Sequence, residues 1–271
     1  MNTDAYAQRI VCMTEETTET LYALGEEARI VGISGFTVRP PRARKEKPKV
    51  SAFTSAKIDR ILALEPDLVL GFSDLQADIA AELIRAGVAV HVFNHRSVAG
   101  IFGMIRTLGG LIGQQDRAAA YARELADGLD AVRESAATGR RPRVYFEEWD
   151  EPQISGIRWV SELIEIAGGD DCFPELARES LAKKRIIADP EEVIRRAPDI
   201  IIGSWCGKKF RPERVASRPG WNAVPAVATG NVLEVKSPLI LQPGPAALTD
   251  GVAALRAAIV DWQQQQVAGA S

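Results

Sequence analysis

The hydrophobic pattern of this chain changes period many times, and the changes follow a repeating order. Arg9–Met13 (RIVCM) is a short apolar run that predicts a buried strand. TEETTETLYALG follows with helical spacing; Thr17 or Thr18 is placed to cap that helix and Gly25 to end it in the left-handed conformation. ARIVGIS predicts a second strand, and TVRPPRARKEKPKV, rich in Pro and Lys, predicts a surface loop. SAKIDRILALEPDLVLGF reads as a helix that ends near Leu64, because Pro66 disfavours a helical residue before it, and then a strand. DLQADIAAELIRAG is an amphipathic helix closed by Gly87, and VAVHVF is another strand. From Val98 the texture turns helical, first with Gly interruptions and then in one long stretch, QQDRAAAYARELADGLDAVRESA. At about 1.5 Å per residue that stretch spans roughly 35 Å, the width of a small domain. It stops at the Gly/Pro break TGRRPR.

The second half restarts the same grammar. RVYFEE answers RIVCM as a strand, and RWVSELIEIAGG answers TETLYALG as a helix with a Gly stop. EVIRRAPDIIIG (Glu192–Gly203) repeats the phrase RILALEPDLVLG (Arg60–Gly71): an apolar-periodic run, Pro-Asp, three branched apolar residues and Gly. GNVLEV predicts a late strand, and GPAALTDGVAALRAAIVDWQQQQ a C-terminal helix with Pro245 near its first turn. Alternating helices and strands in both halves predict an α/β fold of two lobes with mainly parallel sheets flanked by helices, joined by one long backbone helix. The expected boundaries are 1–97 for the first lobe, 98–139 for the connecting helix and 140–271 for the second lobe.

Composition narrows the functional classes. A hydrophobic fraction of 46% and a charged fraction of 25% are those of an ordinary globular protein. A net charge of −3, with no basic stripe carrying interleaved aromatics, gives no case for nucleic acid. No run approaches a membrane span. The N-terminus lacks a cationic segment followed by an apolar one, so as written it does not read as a signal peptide. Cys12, Cys172 and Cys206 are odd in number and far apart, which argues against both a disulfide framework and a zinc site. His91 and His95 on one strand would stand about 13 Å apart, too far to share a metal, a limit that relaxes if His95 lies in the loop after the strand. Nucleotide-binding glycine motifs and a GxSxG elbow are missing. No nucleophile or histidine accompanies the carboxylates near Glu148, so the chain is not expected to be an enzyme.

TETLYALG, RPP followed by PKV, IDRILALEPDLVLG, SELIEIAGG and EEVIRRAPDIIIG, in this order and over nearly the full length, resemble the class III substrate-binding proteins of ABC importers. That family has two α/β lobes joined by one backbone helix and includes binders of vitamin B12, haem and ferric siderophores. VGIS…RPP, ISGIRWVSELIEIAGG and PAALTDGVAAL are similar to its B12-binding branch. The resemblance implies a non-covalently held metal-chelate ligand, a corrinoid (cobalamin or cobinamide), captured in a cleft between the lobes. It implies delivery to the membrane permease of an ABC importer, a monomeric state and a periplasmic location. Ferric-siderophore or haem binding in the same fold is the alternative. The N-terminus leaves open a cytoplasmic corrinoid-handling protein or enzyme.

α/β lobes bind ligands beyond the carboxyl ends of their strands. Phe36, Phe53 and Phe72 in the first half, and Trp149, Trp159 and Trp205 in the second, fall at or after predicted strand ends or the next helix start, where they can wall a flat apolar ring. Positions matching the three Phe tend to hold Tyr or Trp in the B12 binders; Phe keeps the stacking surface without the polar tip. Glu148 and Arg158, in EEWDEPQISGIRW, and Gln242 are candidates for rim hydrogen bonds. Strand alternation puts Glu148 opposite Glu147. Lys208, with Lys209 and Arg211, is a candidate to meet an anionic group, and Cys206 a candidate thiolate ligand. A solvated acidic turn and a solvated basic loop are the plainer readings of these two segments. Asp59 and Glu191 each lie seven residues before the Pro of the repeated phrase. They match the family's acidic residues that meet arginines of the permease, so the resemblance implies a docking role; as first-turn acids they would also suit the helix dipole.

Overall fold

The computed structural model describes Tyr6–Gly269 of the chain. Met1–Ala5, the start of the segment read for a leader, and Ala270–Ser271, the end of the second predicted lobe, lie outside the described residues. The chain divides into two compact units. The first holds the residues up to His95, Ala99–Leu125 and Pro243–Pro245; the second holds Arg96–Val98, Ala126–Gln242 and the chain from Ala246.

In the first unit the strands are β1 (Ile10–Cys12), β2 (Ile30–Ser34), β3 (Lys49–Ser51), β4 (Leu68–Phe72) and β5 (Val90–Phe93), and they form one sheet in the order β3-β2-β1-β4-β5 with every pairing parallel. The helices are α1 (Glu15–Ala23), α2 (Ala43–Glu46), α3 (Ile58–Leu62), α4 (Ala77–Arg85) and α5 (Val98–Leu111). Val11, Met13, Val50, Ile61, Val69, Ile79 and Leu83 make a core between the sheet and its helices. α1 begins earlier than the sequence suggests. Thr14 is its N-cap residue, while the Thr17 and Thr18 hydroxyls donate back to the Thr14 carbonyl from inside the first turn. Gly25 does take a positive φ, as does Gly87 after α4. The stretch read as a plain loop contains α2 and the edge strand β3, because Val50 is buried and β2 offers it a free ladder. α5 runs without a break through Gly103, where a side chain would meet nothing within 4 Å.

Helix α6 (Gln115–Ala136) is continuous, and the boundary between the units falls within it, after Leu125. The second unit has β6 (Arg143–Asp150), β7 (Gln153–Ser155), β8 (Asp170–Asp171), β9 (Ile200–Gly203) and β10 (Val232–Glu234), in the order β10-β9-β6-β7 with β8 also on β6. All pairings are parallel except β6–β7. Its helices are α7 (Arg158–Ala167), α8 (Pro174–Ala177), α9 (Glu191–Arg196), α10 (Pro212–Ala216), α11 (Pro225–Ala228), α12 (Ser237–Ile240) and α13 (Val252–Ala268). Pro245 stands at the start of the helical stretch that passes through a π turn (Ala247–Gly251) into α13. Tyr145, Phe173, Ile201, Trp205, Phe210, Val215 and Trp221 form one core on one side of this sheet.

The repeated phrase has a single structural purpose in both units. Glu65 and Ala197, each just before the Pro, leave the helix with positive φ (48° and 45°). Asp67 then accepts the backbone N–H groups of Gln8 and Arg9 as the chain enters β1, and Asp199 accepts that of Arg143, the first residue of β6. The side chains of Arg9 and Arg143 donate to the last carbonyls of the preceding helical segments, at Leu64 and Glu65 in one unit and Arg196 in the other. Each phrase therefore locks a helix end to the first strand of its own unit, and the strand registers agree: Ile10 pairs with Leu68 and Val144 with Ile200.

Candidate functional site

In the first unit the carboxyl ends of the strands carry Thr14–Glu16, Phe36, Phe53, Ser73 and His95. The chain runs from β1 to β2 on one side and reaches β4 on the other, so the loops leaving β1 and β4 flank the switch point where open parallel sheets bind ligands. Phe36 is 58% exposed on the loop after β2, and Arg44 clamps that loop by donating to the carbonyls of Gly35 (2.8 Å) and Thr37 (2.9 Å). Phe53 is half-buried, and Phe72 is buried with its ring edge-on to His95 at 5.3 Å. Gln76, fully buried, joins the last two: its Oε1 accepts the Phe72 N–H (3.0 Å) and its Nε2 donates to the Phe53 carbonyl (2.8 Å). A Cβ on Gly71 would stand 2.8 Å from that Oε1, which explains the glycine that ends the first phrase. Neither Gln76 nor Arg44 is marked by the sequence pattern: one reads as a helix-start polar residue and the other as a loop cation.

Burial dominates the acids after β1. It raises the Glu15 carboxyl to about 8, with the neighbouring Glu19 charge adding to it, and the Glu16 carboxyl to about 7. The Val38 and Arg39 amides face Glu15, outside hydrogen-bond geometry. His95 donates Nε2–H to the Pro243 carbonyl at 2.8 Å. That contact holds Pro243–Pro245 in the first unit, where Gly244 packs against Glu16.

The second unit ends its strands in three neutralised carboxylates. Glu147 is fully buried and saturated: Arg218 donates to both oxygens (2.6 and 2.9 Å), Trp205 donates Nε1–H to Oε1 (3.0 Å) and the Tyr145 hydroxyl to Oε2 (2.9 Å). Glu148 is held by both terminal nitrogens of buried Arg185, at 2.6 and 3.1 Å. Asp150 accepts Lys208 Nζ on both oxygens, at 2.8 and 2.7 Å. The register of β6 shifts between Glu147 and Trp149, so simple alternation does not set these three positions. Lys208 lies 5.3 Å from the Trp149 ring and 5.1 Å from the Trp205 ring. The cation expected to meet an anion is thus already engaged by Asp150 and two aromatic faces, while Lys209 and Arg211 are exposed.

The remaining candidates fall into different settings. Trp159 and Trp205 are core residues; Trp159 donates Nε1–H to the Ile240 carbonyl (2.8 Å), which fixes the approach to half-buried Gln242. Trp149 is half-buried and bonds the Glu151 carbonyl (2.9 Å). Arg158 is exposed and pairs with Glu162 along α7 at 2.8 Å. Burial pushes the Cys12 and Cys172 thiols to about 12; partial desolvation and then Glu148 also raise that of Cys206, which opposes a thiolate there. Asp59 and Glu191 are exposed in the first turns of α3 and α9. Among the described residues no group of three metal-ligating side chains gathers, and no helix is long and apolar enough to cross a membrane.

Residues 10–239 match the family model described as periplasmic binding protein. The chain belongs to that family. It is 26% identical over 255 residues to a cobalamin-binding protein of Halobacterium salinarum, an alignment covering 89% of this chain and 67% of that one. Its fold is similar to the crystal structure of the periplasmic vitamin B12 binding protein of Vibrio cholerae, with a TM-score of 0.75 and 22% identity over 95% of this chain and 98% of that one. The periplasmic haem-binding protein of Roseiflexus gives a TM-score of 0.78 at 24% identity, over 93% and 99%. These neighbours are binding proteins of the bilobal α/β architecture, as expected from the alternating pattern.

Proposed function

We propose that this family member is the substrate-binding protein of an ABC-type importer whose cargo is a corrinoid, cobalamin or cobinamide, held without covalent attachment. The observation that carries the reading is the 26% identity, along 89% of the chain, with a cobalamin-binding protein. The site chemistry supports it. A corrin is a broad, mostly apolar ring edged with neutral carboxamides, and it needs apolar faces with hydrogen bonding at the rim. Within the first unit, exposed Phe36 and half-buried Phe53 are apolar faces of this kind at strand ends, with buried Phe72 behind them as a candidate, and within the second unit half-buried Trp149 is another. Trp159 and Trp205 support their unit from within, and Arg158 and Gln242 remain rim candidates. Glu148 and Lys208 remain candidates too, each already held in an ion pair, with Arg185 and Asp150 respectively.

Haem or a ferric siderophore is the second reading, favoured by exposed Lys209 and Arg211 after β9 and by the fold likeness to a haem-binding protein. In either case Asp59 and Glu191, exposed at equivalent places in the two units, would dock the protein, exported and monomeric, on the permease. The test is a titration of the purified protein with cyanocobalamin, dicyanocobinamide, haemin and ferrichrome, followed by visible absorbance and tryptophan quenching. Saturable binding of the corrinoids alone is expected. Saturable binding of haemin or ferrichrome with none of the corrinoids would overturn the proposal.

A further inference from the structure

Buried polar atoms without partners are rare in folded proteins, and each asks for an explanation. In the first unit several gather at one end of three adjacent strands. After β1, Glu15 is 3% exposed and neither carboxyl oxygen is hydrogen-bonded. Glu16 is 1% exposed; its Oε1 accepts the Thr14 hydroxyl at 2.5 Å, and its Oε2 has no partner. After β2, the Thr37 hydroxyl is fully buried and unpaired, and at the end of β3 the Ser51 hydroxyl is unpaired too. β3, β2 and β1 are consecutive in the sheet, so these groups share its carboxyl edge. The Val38 and Arg39 amides face Glu15, which places the Phe36 loop beside the acids.

The chemistry of the set is specific. The two arginines of the neighbouring loop are engaged elsewhere: Arg39 by Glu19 at 2.9 Å, and Arg44 by two carbonyls. Adjacent buried carboxyls resist ionising together, so the pair keeps at least one proton near neutral pH, in line with carboxyls raised by burial to about 8 and about 7. Such a pair accepts from an N–H and donates to a C=O, and hydroxyls do both. A carboxamide offers both partners. A carboxylate offers acceptors only and adds a like charge, which is a repulsive device against the wrong ligand.

We propose that Glu15, Glu16, Thr37 and Ser51 form a specificity patch that reads neutral carboxamide groups on the rim of the ligand and rejects carboxylates at the same place. This rests on the corrinoid reading and refines it. Exposed Phe36 lies on the loop whose Val38 and Arg39 amides face Glu15, so a ligand stacked on that ring is brought beside the patch.

The test compares cyanocobalamin with its three isomeric monocarboxylic acids, in which one propionamide is replaced by a carboxylate on an otherwise unchanged ring. For the unaltered protein, at least one isomer should bind about ten-fold more weakly than cyanocobalamin, the size of one lost hydrogen bond to a charged or buried group. In Glu15→Gln/Glu16→Gln that gap should shrink to about three-fold or less. Thr37→Val, which removes the hydroxyl and keeps the shape, should weaken cyanocobalamin several-fold, and it serves if the double variant does not fold. Equal binding of all three acids and cyanocobalamin to the unaltered protein overturns the patch while leaving the corrinoid reading in place. So does a gap that persists in a folded double variant, or unchanged affinity in Thr37→Val. No binding of cyanocobalamin at all removes the corrinoid reading, and the patch with it.

Discussion

At the scale of single residues, the two units treat buried charge in opposite ways. Glu147 has every oxygen engaged, so removing Arg218 leaves a buried carboxylate with no counter-ion, held only by the Tyr145 hydroxyl and the Trp205 N–H. Arg218→Ala should cost about 3–5 kcal/mol in denaturant unfolding, whereas Lys209→Ala, on an exposed side chain, should change stability by less than about 0.5 kcal/mol. Glu15 and Glu16 carry their strain as raised pKa values, about 8 and about 7 against 4.5 in the unfolded chain. Their folded form binds protons more tightly than the unfolded form, so stability is highest below pH 4.5 for these groups and declines as pH rises towards 8. Each contributes at most about 1.4 kcal/mol per pH unit to that decline. Melting curves between pH 5 and 8.5 should show it, and Glu15→Gln/Glu16→Gln should flatten it; an unchanged slope would mean the acids are solvated. The sequence displayed these charges but not their states. Arg218 and Arg185 are far along the chain from Glu147 and Glu148, and no local spacing announces which carboxylate is paired and which is left bare.

At the scale of elements, the repeated phrase explains its own residues. Pro66 and Pro198 end a helix, Asp67 and Asp199 tie down the first strand of the unit, and Gly71 and Gly203 make room for a neighbouring side chain. The last pair differs in what it accommodates. A Cβ on Gly203 would fall 1.8 Å from the Phe210 ring, whereas on Gly71 it meets the tip of Gln76 at 2.8 Å and Met13 Cε at 2.9 Å. Gly203→Ala should therefore destabilise by about 1–3 kcal/mol as the ring is displaced, and Gly71→Ala by less. Gly71→Ala should instead lower ligand affinity, because Gln76 would lose its grip on the Phe53 and Phe72 loops; equal stability losses in the two variants would contradict this assignment. Periodicity identified the long helices, both copies of the phrase and the central strands, since each is an extended apolar stripe or run bounded by Gly or Pro. It missed β3, β7, α2 and the short helices after Pro174, Pro212 and Pro225, which are too short to show a period and form because tertiary partners supply their ladders and caps.

At the scale of the molecule, the duplication is a matter of construction. Each unit has a mainly parallel sheet whose first strand is pinned by an Asp and an Arg in the same register, and one of the chain's passages from one unit to the other falls within α6. Asp59 and Glu191 open the helices of the two phrases and are exposed in both units. If they dock the permease, Asp59→Ala and Glu191→Ala should leave corrinoid affinity unchanged and lower ligand-dependent stimulation of the transporter's ATPase in proteoliposomes; loss of affinity instead would put these acids in the ligand site. The family was legible from the ordered set of motifs, because these sit where helix ends and strand starts constrain the residues. The proposed corrinoid ligand is less legible, because the contacts proposed for it depend on which loop side chains remain unpaired after folding. Equilibrium dialysis of the purified protein against labelled cyanocobalamin, with and without excess haemin, tests that claim most directly. One cyanocobalamin bound per chain and retained against haemin is the predicted result; no retained cyanocobalamin, or its complete displacement by haemin, would contradict it.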